Sequence, residues 1–172
     1  MKSTILVCSV TTLLTACATT APVAVPEALK PASSESLAMI VPAKGVQIYE
    51  CRAKKAGAGY EWAFVAPDAD LFDSRGNRIG VHGAGPVWRA NDGSRIVGTL
   101  KQRVDAPSTD AIPWLLLTTQ STGSAGAFSN VTSIQRVNTA GGLAPSVDCA
   151  AASTDKQARI PYTADYYFFT NR

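Results

Sequence analysis

The chain has one histidine, His82, in the stretch GVHGAGPVWRANDGS from Gly80 to Ser94. Imidazole is the side chain best suited to move a proton near neutral pH. Oriented by Asp92 or Asp105 and paired with a serine nucleophile, His82 would serve a small secreted hydrolase, provided the three groups lie within hydrogen-bond reach. The sequence supplies no context for that nucleophile. G-x-S-x-G does not occur, and Ser124 stands in TGSAG, which fails the pattern. Every unusual residue of the stretch also has a use without a reaction. Gly80, Gly83 and Gly85 permit turns, Pro86 fixes the exit, Trp88 buries a large surface, and Asp92-Gly93 is a hairpin dipeptide. On this reading His82 is a hydrogen-bonding residue at a strand end, dispensable for the fold. His82, Trp88 and Asp92 are then candidates for ligand contact, and no residue is assigned to catalysis.

Other chemical patterns fail on spacing. Asp68, Asp70 and Asp73 offer oxygens to a hard cation, but Phe72 takes the third ligand position of a calcium loop and Asp73 replaces its glycine. Ser153 to Lys156 spells S-x-x-K without the S-D-N and K-T-G partners that a penicillin-binding site needs. One histidine and two distant cysteines do not make a zinc site. The expectation is no metal and no cofactor.

Cysteine usage instead speaks of export. Lys2 precedes an apolar stretch from Ile5 to Leu14, too short to span a bilayer and the right length for a secretory signal. It ends in Leu14-Thr15-Ala16-Cys17, which resembles the lipobox of bacterial lipoproteins. That resemblance implies a signal over residues 1–16, lipid on Cys17 and a membrane anchor; Ala18 implies outer-membrane sorting in a cell that has one. Residues 17–34, rich in Ala, Pro, Thr and Ser, read as a tether, with docking of Val23, Val25 and Leu29 the alternative. Cys51 and Cys149 would then be left in an oxidising compartment, where a disulfide is expected. Losing Lys2 lowers the formal charge from +3 to +2, too little to suggest a nucleic-acid partner. The partners expected are the membrane, through the lipid, and an envelope protein, a glycan or a small ligand.

The elements that must position these residues are strands. Val46, Ile48, Tyr49 and Cys51 alternate, as do Tyr60, Trp62 and Phe64 with Glu61 and Ala63. Asp73 to Asn77 turns the chain between two apolar runs, and Arg95, Lys101 and Arg103 mark a solvated strand face opposite Ile96, Leu100 and Val104. PWLLLT from Pro113 reads as a buried central strand. Phe128–Val137 and Tyr162–Phe169 complete the set, and in Tyr166 to Phe169 aromatics point to both faces. Residues 35–172 should form a single all-β domain, an antiparallel β-sandwich with a partly closed β-barrel as the alternative.

GVQIYEC, YEWAFVAPDADLFD, GNRIGVHGAGPVWRANDGSRIVG and YTADYYFF together resemble domain-of-unknown-function family 3455 of bacteria and fungi, over roughly residues 40–170. The resemblance implies no activity. Some fungal members bear the label malate dehydrogenase, which these residues do not support: a dinucleotide site needs a glycine turn leading into a helix, and here Gly85 leads into Pro86 and Val87. The sequence points to a non-enzymatic envelope lipoprotein that binds a partner or ligand, with the His82 hydrolase as alternative.

Overall fold

The computed structural model describes residues 22–172 apart from Asp148. The signal segment and Cys17 lie outside the described residues.

Eight strands follow one another: β1 (Glu35–Ala53), β2 (Tyr60–Phe72), β3 (Arg78–Gly83), β4 (Val87–Ala90), β5 (Arg95–Val104), β6 (Trp114–Ser121), β7 (Val131–Gly141) and β8 (Gln157–Asn171). Each pairs antiparallel with the next, and β8 returns to pair with β1, so the sheet closes on itself. The all-β, antiparallel expectation holds, and of the two architectures weighed the barrel is the one adopted. Pairing is incomplete where β3 and β4 are short: β2 meets β3 only over Ala69 to Phe72, and β5 meets β4 only over Arg95 to Val97. Eight strands enclose a space that side chains or one small ligand can fill.

Alternation decides what enters that space. From β8, Tyr162, Ala164, Tyr166 and Phe168 point inward with Val41, Ala43, Leu71, Trp88, Ile96, Leu117 and Ile134 from the other strands. Tyr167 and Phe169 point outward, yet both are buried, with Trp114, Leu116 and Val137. Residues 23–29 cover them. Leu29, in a short 3-10 turn (Glu27–Leu29), is fully buried, Val23 and Val25 pack beside it, and Gln135 Nε2 donates to the Leu29 carbonyl at 2.6 Å. The tether expectation is therefore corrected for this part of residues 17–34. The aromatics of β8 face both ways because one wall of the barrel is covered on both sides.

The two ends differ. At one end the β6–β7 loop folds Phe128 over the core, edge-on to Phe168 at 5.0 Å. Asp92 holds this end together. Its Oδ1 accepts from the Ser94 amide and hydroxyl, and its Oδ2 accepts from the Ala127 amide. Gly93 completes that turn at φ 90°, a conformation that favours glycine. At the other end the β7–β8 loop is stapled to β1 by the Cys51–Cys149 disulfide, with Cα atoms 5.4 Å apart. The three aspartates that invited calcium have separate tasks. Asp68 pairs with Arg159, Asp70 pairs with Arg78, and Asp73 caps its own turn through the Arg75 and Asn77 amides.

One register shift changes a reading. β5 slips against β6 between Leu100 and Gln102, so Leu100 opposes Leu117 but Arg103 opposes Leu115. Directly opposed residues share a face. Arg103 thus leaves the side expected for it and joins the inner face, at the rim of the stapled end.

Candidate functional site

The stapled end holds a cavity of about 350 Å³ that reaches into the barrel. Phe64, Val65 and Pro67 of β2, Leu100 of β5, and Leu115 and Leu117 of β6 supply its apolar walls; His82, Trp88, Arg136 and Tyr166 supply the polar groups. Ligand cavities range over roughly 300–1,000 Å³ and combine apolar walls with few convergent polar groups, and this one fits both criteria.

His82 and Trp88 come together because they oppose each other across the β3–β4 hairpin. Their rings stack at 4.2 Å and 13° between planes, and Tyr166 meets both edge-on, at 5.1 Å from His82 and 5.5 Å from Trp88. Gly98 makes room for the indole: a Cβ there would lie 2.8 Å from Trp88 Cζ3 and 3.0 Å from Leu117 Cδ2. The indole is 1 % exposed, and among the described residues its Nε1–H has no partner. Asp92 does not join this group. It lies at the far end of β4, in the β4–β5 turn, where it has the structural task already described.

His82 lacks the surroundings of a general base. Its Nδ1 lies 2.9 Å from the Val87 carbonyl, which only accepts, so Nδ1 carries the proton. Burial, with a smaller contribution from the Arg136 charge, pushes its pKa down to about 3, against the rise that the Val87 bond alone would give. The ring is therefore neutral at physiological pH, and its one hydrogen bond goes to backbone rather than to a carboxylate or hydroxyl. Ser124 lies in the β6–β7 loop at the opposite end of the barrel. His82 is the hydrogen-bonding strand-end residue read from the sequence. It is also buried and stacked, so its removal would leave a hole beneath Trp88.

Arg136 is the site residue that sequence reading missed. It opposes Leu115 on one side and Tyr166 on the other, which puts Arg103, Leu115, Arg136 and Tyr166 in one row across the inner faces of β5 to β8. Its period-2 spacing from Ile134 in SIQRV carries the signal for an inward side chain. The guanidinium donates through Nε and Nη2 to one acceptor, the Pro113 carbonyl, at 3.1 and 2.8 Å. Among the described residues the three ion pairs join other groups and leave Arg136 without a carboxylate. Tyr166 is buried and its hydroxyl is pushed up by desolvation, partly offset by the Arg136 charge; Tyr49 behaves likewise under Arg136 and Arg103.

Fold and site together define a closed eight-stranded meander barrel with a ligand-sized cavity at one end and, in its wall, a cation that pairs with no carboxylate among the described residues. The chain belongs to the family described as "Protein of unknown function (DUF3455)", whose model matches residues 31–170. No curated protein and no solved structure matches it.

Proposed function

We propose that this protein is a non-enzymatic binding barrel of the cell envelope, exported by its N-terminal signal, lipidated at Cys17, and built to hold one small, largely apolar molecule. The observation that carries the reading is the cavity at the stapled end, with apolar walls on three strands and a small set of converging polar groups. Phe64, Val65 and Leu100, at its edge, are all about half exposed. Burying apolar area contributes about 25 cal/mol per Å², so these residues would add to affinity on covering a ligand. The hydrolase alternative has no comparable support, because His82 is neutral, buried and held by a backbone carbonyl.

Titration with an uncharged fluorescent apolar dye tests the cavity. Wild-type protein should bind one equivalent with an emission blue shift. Leu115→Trp, which fills the cavity from β6, should reduce binding at least tenfold while the melting transition stays cooperative. Equal binding by the filled variant would place the dye elsewhere and remove the basis of the reading. Intact-mass analysis of membrane-extracted protein tests the anchor, which fails if the chain begins at a residue other than a lipidated Cys17.

A further inference from the structure

The cavity's polar groups are unequal in kind, and the imbalance points to a ligand chemistry. We propose that the ligand is an amphipathic carboxylate whose acid group is received by the outer fork of Arg136, with its apolar body lying along Leu115, Leu117 and Trp88. This inference rests on the binding-barrel reading above and specifies the occupant of that cavity.

A guanidinium presents five N–H groups. Nε–H and one Nη2–H of Arg136 converge on the single Pro113 carbonyl. The Tyr166 hydroxyl lies beside the guanidinium, but among the described residues the edge formed by Nη1 and the second Nη2–H makes no hydrogen bond of full geometry, and that parallel pair is the geometry that receives both oxygens of a carboxylate. The Pro113 bond fixes the plane of the group, so little side-chain freedom remains to be lost on binding. A half-buried cation would ordinarily be paired. Among the described residues no carboxylate fills that role, while Asp68 and Asp70 are engaged by Arg159 and Arg78.

Further features agree. Trp88 lines the same cavity, and among the described residues its buried Nε1–H donor has no partner, so the donor surplus is not confined to the arginine. Arg103 stands in the same inner row as Arg136, with Leu115 between them, and adds a second positive charge at the rim. Its exposure suits it to attract an anion from solution rather than to hold it. His82 and Tyr166, the remaining polar groups of the wall, are neutral at physiological pH and so add no charge. The walls beyond this row are hydrocarbon and aromatic, which excludes a ligand polar over its whole length.

Paired probes test the assignment: decanoate and 1-decanol, which share a chain and differ in the acid group, measured by calorimetry on the full-length protein at pH 7.5. Wild type should bind decanoate at least tenfold more tightly than decanol, with an affinity that weakens as salt is raised. Arg136→Met should bind the two alike, by losing the acid and keeping the alcohol, and Arg136→Lys should keep part of the preference. Arg103→Gln should slow association of the acid with little change in dissociation. Equal binding of acid and alcohol by wild type would overturn this assignment and leave the binding barrel standing, as would an undiminished acid preference in Arg136→Met. Failure of both probes, and of the uncharged dye, would overturn the barrel reading and this one with it. If Arg136→Met does not fold, the acid–alcohol comparison in wild type decides alone.

Discussion

His82 shows how one burial decides both chemistry and stability. The unfolded chain binds a proton on this imidazole below about pH 6.5, whereas the folded chain resists protonation down to about pH 3. A depressed histidine pKa means that the stability it supports is complete above the unfolded value and declines as pH falls from about 6.5 toward 3. The slope from this one group reaches at most ~1.4 kcal/mol per pH unit. Denaturant melts between pH 7.5 and 4.5 should show a fall that His82→Gln makes shallower; identical slopes in the two proteins would mean that the folded ring already carries its proton. Trp88 lies against it with no exposed surface to lose cheaply. Trp88→Ala should cost ~3–5 kcal/mol, the usual range for a buried tryptophan, and His82→Ala should cost less but a measurable amount, since its ring stacks on that indole. A His82→Ala protein melting with wild type would refute the stacked packing. The turn chemistry of this stretch was legible in Asp92-Gly93 and the glycines. The stacking of His82 was not legible, because one residue's type cannot tell which aromatic from a neighbouring strand will cover it.

At the scale of elements, strand alternation was legible and register was not. Turn residues and alternating apolar positions marked nearly every strand, yet the slip between Leu100 and Gln102 carries Arg103 across the sheet, and no local pattern announces it. Arg136 was overlooked for a related reason: it interrupts an apolar strand face, and its meaning appears only when β6 and β8 lie beside it. The segment before β1 was misjudged on composition. Prolines made residues 17–34 read as a tether, but spaced apolar residues can dock without regular structure when a strand offers aromatics on its outer face. Leu29 should therefore behave as core. Leu29→Ala should destabilise by ~2–4 kcal/mol, within the range for fully buried leucines, and should open the outer face of β8 to hydrogen exchange. A loss below half a kcal/mol, with β8 amides as protected as before, would return this segment to the status of a tether.

Closure is the property of the whole molecule, and it explains why the sandwich and the barrel read alike from sequence. Both are antiparallel sheets with turn signals at similar spacing, and they differ only in whether the last strand finds the first. That pairing is the most distant in the chain: Tyr49 opposes Ala158, and Glu35 opposes Asn171. Non-local pairing makes folding slow, because loop-closure entropy must be met before the contacts form. The disulfide changes this requirement. It joins Cys51, near the end of β1, to Cys149, ahead of β8, over a sequence separation of 98 residues. With the bond intact, Tyr49 and Ala158 are connected by a path of about a dozen residues instead of more than a hundred, which reduces the closure term by roughly 2 kcal/mol. Two measurable effects follow. The oxidised protein should be more stable than the reduced one by up to ~4–5 kcal/mol, the entropic figure for a loop of this size. If β1 meets β8 in the transition state, oxidised protein should also refold faster, by roughly ten- to thirty-fold if the closure term is fully felt there. Stopped-flow refolding of the oxidised chain and of a Cys51→Ala, Cys149→Ala variant gives the answer. Equal refolding rates, with the whole stability difference in unfolding, would show that the barrel closes after its rate-limiting step, the hairpins from β2 to β7 having formed the nucleus.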